Sequence, residues 1–304
     1  METTGHENGA SGVAGITADV RATIDAGIPL AATSQIFGYD ALTLLAAIGQ
    51  QVPDIELATA VVPTYPRHPI VLASQALTVQ EVIGGRLTLG IGLSHKLVIE
   101  GVFGYSFDRP VRHMSDYLRV LLPLLRGEQV SYEGETLKAS TLGPLDVSAR
   151  TPDVVVAALG PQMLTLAGKL ADGTATWMTG RATIEGHIVP SITRAASEAG
   201  RKAPRVSVSL PVCVTDDPEG ARERAARLFS IYGQLPSYRA MLDREGVDGP
   251  AGVAVVGDED SVAEQIALFR DAGATEFVAA RYGSRAERDR TFQLIAELSR
   301  DPSG

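Results

Sequence analysis

Cysteine occurs once in the 304 residues, at Cys213. That excludes an internal disulfide and any metal or iron–sulfur site built from several thiolates. Histidine is almost as sparse. His6, His68, His95, His113 and His187 include no pair spaced as ligands on one helix face, so a histidine-built metal centre is not expected. Lysine is confined to Lys96, Lys138, Lys169 and Lys202, and 27 basic against 36 acidic residues leave a net charge of −9. A nucleic-acid or anionic-membrane surface needs clustered cations, and none is visible. Long apolar runs are missing as well. The longest uncharged stretch, 154–168, is broken by Gly160-Pro161 and falls short of the ~18 residues a membrane span requires. The polar opening of the chain (1–8) lacks the basic-then-apolar order of a secretory signal. We therefore expect a cytoplasmic protein whose partner is a small molecule, with no nucleic acid and no membrane.

What remains is ordinary globular composition, 45% hydrophobic and 21% charged, in a length that suits one (β/α)₈ barrel of ~250 residues. Strand-length apolar runs alternate with amphipathic stretches. Strands are expected at 28–33, 55–62, 86–92, 153–158, 173–177, 205–214 and 276–280. Helices are expected at 41–48 behind an Asp40 N-cap, 69–82, 108–126, 183–199, from Pro218 onward and at 261–272. A hairpin should occupy 130–137, turning at Glu133-Gly134. Counting 12–16 as a weak first strand gives eight strands. Alternation of this kind implies a parallel sheet with right-handed crossovers. The expected fold is thus α/β, a (β/α)₈ TIM barrel in a single domain (1–304). It would carry a flexible tail at 1–11, a weak first strand, and a hairpin insertion at 127–150 after the fourth βα unit.

In such barrels the chemistry lies on loops after the carboxyl ends of the strands, and three loops stand out. Residues 59–69 carry three prolines, a stiff segment that could line a flat ligand or merely connect two elements. Residues 90–96, Gly-Ile-Gly-Leu-Ser-His-Lys, let a ligand approach the backbone and then present Ser94, His95 and Lys96. His95 is the histidine best placed to exchange protons near neutral pH. His113 reads as structural, His187 as surface, and His6 as part of the tail. In 157–164 a glycine precedes a helix that starts with proline, leaving free amides that suit a phosphate. Thr179, after the next strand, adds a hydroxyl. The Gly90 pattern lacks the third glycine of a dinucleotide-binding fingerprint.

The stretch Ala58-Thr59-Ala60-Val61-Val62-Pro63-Thr64-Tyr65-Pro66-Arg67-His68-Pro69 resembles the luciferase-like monooxygenase superfamily. So do Gln75-Ala76-Leu77-Thr78-Val79-Gln80 and Gly84-Gly85-Arg86-Leu87-Thr88-Leu89-Gly90-Ile91-Gly92-Leu93-Ser94-His95. The likeness points to the actinobacterial branch whose oxidoreductases use the 5-deazaflavin coenzyme F420. Gly104 to Pro110, Leu159-Gly160-Pro161 and Ala171-Asp172-Gly173 continue it. It implies a TIM barrel, a deazaflavin or flavin at the carboxyl end, and two-electron hydride chemistry. It also implies a cis peptide or bulge at Ala60-Val61 against the ring, with Gly160, Pro161 and Thr179 near the phosphate tail. His95 falls where relatives often place an acidic proton donor. Gln35, Gly92, Ser94 and Leu159 complete the implied cofactor set; Arg281 and Tyr282, just past the last strand, are placed to meet an anionic or polar substrate, with Phe37 on a substrate-lining loop. Where relatives end the second strand with an acid–histidine pair, this chain has Thr33-Ser34-Gln35-Ile36-Phe37.

These readings favour an F420-dependent reductase delivering hydride to a C=C, C=N or C=O bond, with His95, aided by Ser94, handling the proton. The alternatives are an FMN-dependent monooxygenase on the same scaffold, or a barrel that has lost redox function and only binds a ligand or performs acid–base chemistry. The resemblance also implies a homodimer.

Overall fold

Apolar runs without a polar face can be buried only between layers of helix, and the chain obeys that constraint. The computed structural model describes residues 2–3 and 12–300. Its strands in chain order are β1 (Glu2–Thr3), β2 (Leu30–Thr33), β3 (Glu56–Thr59), β4 (Val62–Pro63), β5 (Leu87–Gly92), β6 (Ser131–Glu133), β7 (Lys138–Ser140), β8 (Asp153–Val156), β9 (Gly173–Trp177), β10 (Arg205–Val214), β11 (Val255–Gly257) and β12 (Glu276–Arg281). The helices are α1 (Val13–Asp25), α2 (Ala41–Gln51), α3 (Pro69–Val82), α4 (Lys96–Gly101), α5 (Pro110–Leu125), α6 (Pro161–Leu170), α7 (Arg181–Thr183), α8 (Val189–Glu198), α9 (Pro218–Leu228), α10 (Pro236–Glu245), α11 (Glu259–Asp271) and α12 (Arg285–Arg300). The chain divides into two compact units, residues 33–157 and residues 1–32 with 158–304.

In the unit 33–157, β5 is buried at all six positions and lies in parallel ladders with three strands. Leu57 of β3 aligns with Leu87, Val62 of β4 with Ile91, and Asp153 of β8 with Thr88. Between β3 and β4 the Ala60-Val61 peptide is cis. Only glycine fits at position 90, because a Cβ there would stand 2.0 Å from the Thr59 carbonyl oxygen. Helices α3 and α5 bury Leu72, Ala76, Leu118 and Leu121 completely, and the Asp40 side chain caps α2 by accepting from the Thr43 amide.

The hairpin sits where expected, after the fourth barrel strand, but its turn is longer. Tyr132 pairs with Ala139 and Glu133 with Lys138, so the turn spans 134–137. Asp116 on α5 sets this geometry, accepting from the Thr136 amide and hydroxyl (2.9 Å each) and the Tyr132 hydroxyl (2.8 Å).

In the other unit the long strand β10 is central. It pairs in parallel with β9 (Arg205↔Gly173), β12 (Ser207↔Glu276) and β11 (Val212↔Val255). β12 continues to β1 (Glu2↔Ala279) and β1 to β2 (Thr3↔Ala32). The first strand is therefore Glu2–Thr3 and not 12–16, which forms the start of α1. The reason is spacing: Ile16, Thr17, Val20 and Thr23 are buried on one face, a 3.6-residue period that a strand cannot use. The expected tail falls largely on residues 4–11, outside the described residues. The helix expected at 183–199 begins at Arg181 and contains a π turn, Ile184–Ile188. Among the described residues no helix is long and apolar enough to cross a membrane.

Candidate active site

At the carboxyl ends of the strands in the unit 33–157, Val61 and Gly92 are pressed together. A Cβ on Gly92 would lie 2.7 Å from Val61 Cγ2 and 3.2 Å from the Ala157 Cβ. Ala60 and Val61 are half-buried, and the Ala60 amide donates to the Thr33 carbonyl (2.8 Å). Beyond Gly92, Ser94 takes a left-handed conformation (φ 60°), and the chain turns to present His95 at the head of α4. His95 is half-buried, and burial pulls its imidazole below the ordinary histidine range, so it is neutral at pH 7.

Gln35 follows β2, but its Oε1 accepts from the Ala41 amide (2.9 Å) and faces Arg67 Nη2 at 3.5 Å. The side chain is thus engaged at the start of α2. Arg67 also pairs with the Asp40 carboxylate. Ile36 and Phe37 extend outward, 63% and 66% exposed.

Beneath this loop runs an aromatic column that sequence reasoning did not find. The Tyr65 ring lies flat on His113, centroids 3.9 Å apart at 7°, with Phe107 at 5.3 Å on Tyr65 and Tyr117 at 5.7 Å on His113. His113 Nε2 and Thr64 Oγ1 are hydrogen-bonded at 3.1 Å, and the Tyr117 hydroxyl donates to the Arg67 carbonyl (2.9 Å). Residues 64–67 are therefore pinned by α5, in keeping with a structural His113. Burial lowers the His113 pKa to about 4. Burial, with the charges of Asp108 and Glu100, raises that of Tyr65 to about 12. Two polar atoms stay unsatisfied: the Tyr65 hydroxyl and Arg67 Nη1 are buried without a hydrogen-bond partner.

In the other unit, Gly160 is the N-cap of α6 and Pro161 its first residue, with no side chain capping the free amides. Nothing stands within 4 Å of the place a Gly160 Cβ would take. The Leu159 carbonyl accepts from His187 Nε2 (2.8 Å). His187, expected at the surface, is buried (8% exposed), because the π turn carries it inward. Thr179 is fully buried and its hydroxyl donates to the Trp177 carbonyl (3.2 Å). The start of α7 is already occupied: Glu245 accepts from the Ala182 and Thr183 amides (3.1 and 2.8 Å).

Arg281 and Tyr282 do not present themselves to a substrate. Tyr282 is 3% exposed, its hydroxyl donating to the Ala221 carbonyl (3.1 Å) on α9. The Arg281 guanidinium lies 4.9 Å over the Phe292 ring of α12 and donates to the Arg288 carbonyl (3.2 Å). Both side chains pack on helices, Arg281 on α12 and Tyr282 on α9. Among the described residues no group of three or more His, Cys, Asp or Glu could hold a metal ion.

Parallel strands alternating with helices, with glycines, an imidazole and an open helix start on the loops after the strands, define the class of α/β barrels. Residues 11–276 match the luciferase-like monooxygenase family, and the chain belongs to that family. It is 29% identical over 222 residues to the 5,10-methylenetetrahydromethanopterin reductase of Methanolobus tindarius, covering 72% of this chain and 65% of that relative. A Mycobacterium tuberculosis protein provisionally named a coenzyme F420-dependent oxidoreductase is 26% identical, covering 89% of this chain and 91% of its own. In fold the chain is similar to the coenzyme F420-dependent tetrahydromethanopterin reductase of Methanopyrus kandleri, with a TM-score of 0.79, 23% identity and 94% of each chain covered. That likeness confirms the expected α/β barrel class.

Proposed function

We propose that the protein is a coenzyme F420-dependent oxidoreductase. In this reading it is a reductase that moves hydride to an activated C=C, C=N or C=O bond of a small molecule. Family membership supports the reading, as do the two named relatives whose own names specify F420 or a reductase. The structural observation that carries it is the start of α6. Its amides are uncapped and the space beside Gly160 is open, a fit for the phosphate of a long-tailed cofactor.

When bound, the deazaflavin supplies two-electron hydride chemistry, and the chain orients it and excludes water. Gly160 and Pro161 would hold the tail, with His187 fixing Leu159 beside them. Ala60, Val61 and Gly92, held close together at the strand ends, would back the ring. A ring nitrogen of His95 would carry the proton. Burial makes the neutral imidazole a weaker base and the protonated imidazole a stronger acid, populated only as pH falls, so reduction should gain from mild acidity. Ser94 would orient His95, and Phe37 would offer the substrate an apolar face.

Fluorescence titration with F420 and with FMN tests the proposal. Micromolar or tighter binding of F420 and much weaker binding of FMN is the expected result. Equal or tighter binding of FMN would favour the monooxygenase alternative, and binding of neither would favour a redox-inactive barrel.

A further inference from the structure

The loop 64–67 is fixed at three points, the ring of Tyr65 on His113, the Thr64 hydroxyl on His113 and the Arg67 carbonyl on Tyr117. Against that order two polar atoms lack a partner, Arg67 Nη1 and the Tyr65 hydroxyl, and the second is the group a single substitution removes cleanly. The Tyr65 hydroxyl is buried with no hydrogen-bond partner, although leaving a buried hydroxyl unpaired is costly. Phenylalanine would keep the same stack without that cost. A buried unsatisfied hydroxyl in a loop so firmly pinned calls for an explanation, and a bound partner is one that function would retain.

Three observations say what the partner is. Tyr65 comes two residues after β4, at the strand end that also carries Val61, Gly92 and His95. Its cover on the outer side is Phe107, within a segment (101–109) otherwise exposed throughout, so a ligand can be admitted there by moving surface chain alone. The two charges that act on the phenol, Asp108 and Glu100, are both negative. An anionic acceptor such as a carboxylate or phosphate would be repelled, whereas a neutral oxygen would not.

We infer that the Tyr65 hydroxyl is a ligand-binding donor, held by the His113–Phe107 stack to give its hydrogen bond to a neutral carbonyl oxygen of the bound cofactor ring or of the substrate. The inference rests on the function proposed above and names a residue that serves that same site.

The test is Tyr65→Phe, which keeps the stack and removes only the hydroxyl. Without ligand, the variant should be as stable as the wild type or melt roughly 1–3 °C higher, because an unpaired group has been removed. With F420 added alone, and then with 2-cyclohexen-1-one as a neutral carbonyl probe on the F420-loaded protein, both proteins are titrated by fluorescence. One of the two affinities should weaken about 3- to 10-fold in the variant. Loss of F420 affinity assigns the oxygen to the cofactor, and loss confined to the ketone assigns it to the substrate. A lower melting temperature without ligand would overturn the inference, since the hydroxyl would then have a partner inside the protein. Both affinities unchanged would overturn it too, leaving a buried water as the partner. A wild type that fails to bind F420 overturns both this inference and the proposed function, whereas equal binding by the two proteins overturns this one only.

Discussion

Thr59→Val should be among the most damaging single-atom-scale changes in the protein. The Thr59 side chain is 1% exposed and makes two hydrogen bonds to one residue. Its hydroxyl accepts from the Gly90 amide and donates to the Gly90 carbonyl, each at 2.8 Å. A side chain thus stands in for the backbone of β3 just where the chain leaves the ladder. Valine has the same shape and neither bond, so both Gly90 groups would be stranded in a dry interior. Water cannot replace the hydroxyl, because the space is so tight that a Cβ on Gly90 would be 2.0 Å from the Thr59 carbonyl oxygen. Each unsatisfied buried group costs about 1–3 kcal/mol, which sums to roughly 2–4 kcal/mol after allowing for partial relaxation. In a chain of this size that lowers the melting temperature by roughly 3–6 °C. Thr59→Ser keeps the hydroxyl and loses a methyl group, costing about 1 kcal/mol. Thermal unfolding of the three proteins in one buffer is the assay. If Thr59→Val melts no lower than Thr59→Ser, the hydroxyl is not holding Gly90 and the reasoning fails.

Other expectations follow from the same geometry. His95→Ala should leave F420 affinity within a few-fold and lower turnover by roughly a hundredfold, the scale of a positioned acid–base group; loss of binding instead of turnover would refute the proton role. Gly160→Asp puts a carboxylate into open space beside the α6 amides and should weaken F420 binding more than tenfold, about 1.4 kcal/mol, as read by the same titration. For His113, with a folded pKa of about 4 against ~6.5 unfolded, stability is fully present above pH 6.5. It is lost as pH falls toward 4, by on the order of 1–2 kcal/mol once partial exposure is discounted. The stability difference between wild type and His113→Phe, measured at pH 7 and pH 4.5, should shift by that amount; a constant difference would be the contrary result. We also expect a homodimer, so light scattering should give about twice the 32.0 kDa chain mass, and a particle of one chain mass would contradict it.

Much of the fold was legible because punctuation and period agreed. The spans 69–82, 173–177 and 205–214 match α3, β9 and β10 to the residue. Each begins at or beside a residue that marks a boundary: proline at 69, glycine at 173, and a polar stretch before 205. The failure at 12–16 has a physical cause. Val13, Ile16 and Val20 fit a helix as well as their short neighbours fit a strand, and the true first strand, Glu2–Thr3, is two polar residues with no local signal. Its existence depends on the ladders offered by Ala279 and Ala31, which only the folded chain supplies. Helix α4 was missed because six residues with a β-branched centre carry weak propensity, and only Ile99 is buried to anchor it.

The site was legible where chemistry needs the absence of a side chain and illegible where it depends on a distant partner. Gly92 could be singled out because close approach requires glycine, and Gly160 because a glycine followed by proline marks an uncapped helix start. The fate of Tyr282 could not, because the residue stands just past β12 and only its packing against α9 decides where the ring goes. His187, Glu245 and Tyr65 were invisible for the same reason, their roles being set by Leu159, Ala182 with Thr183, and His113.

The two helix starts in the unit built from 1–32 and 158–304 show how such distant partners change a functional reading. Sequence alone offered Gly160, with Thr179 adding a hydroxyl, as neighbours of one phosphate. In the folded chain they are not equivalent. The amides that follow Thr179 are already bonded to the Glu245 carboxylate, and Gly180 has no room for even a Cβ, which would fall 2.2 Å from Glu245 Cδ. An anion arriving there would have to displace a fixed negative charge, while the start of α6 offers the same amide chemistry with neither a competing charge nor a steric block. Thr179, its hydroxyl turned to Trp177, then serves to shape the turn, and the burden of holding the tail shifts to Gly160. That is why the Gly160→Asp substitution, which recreates at α6 the occupancy that Glu245 gives α7, is the sharper probe of the two positions.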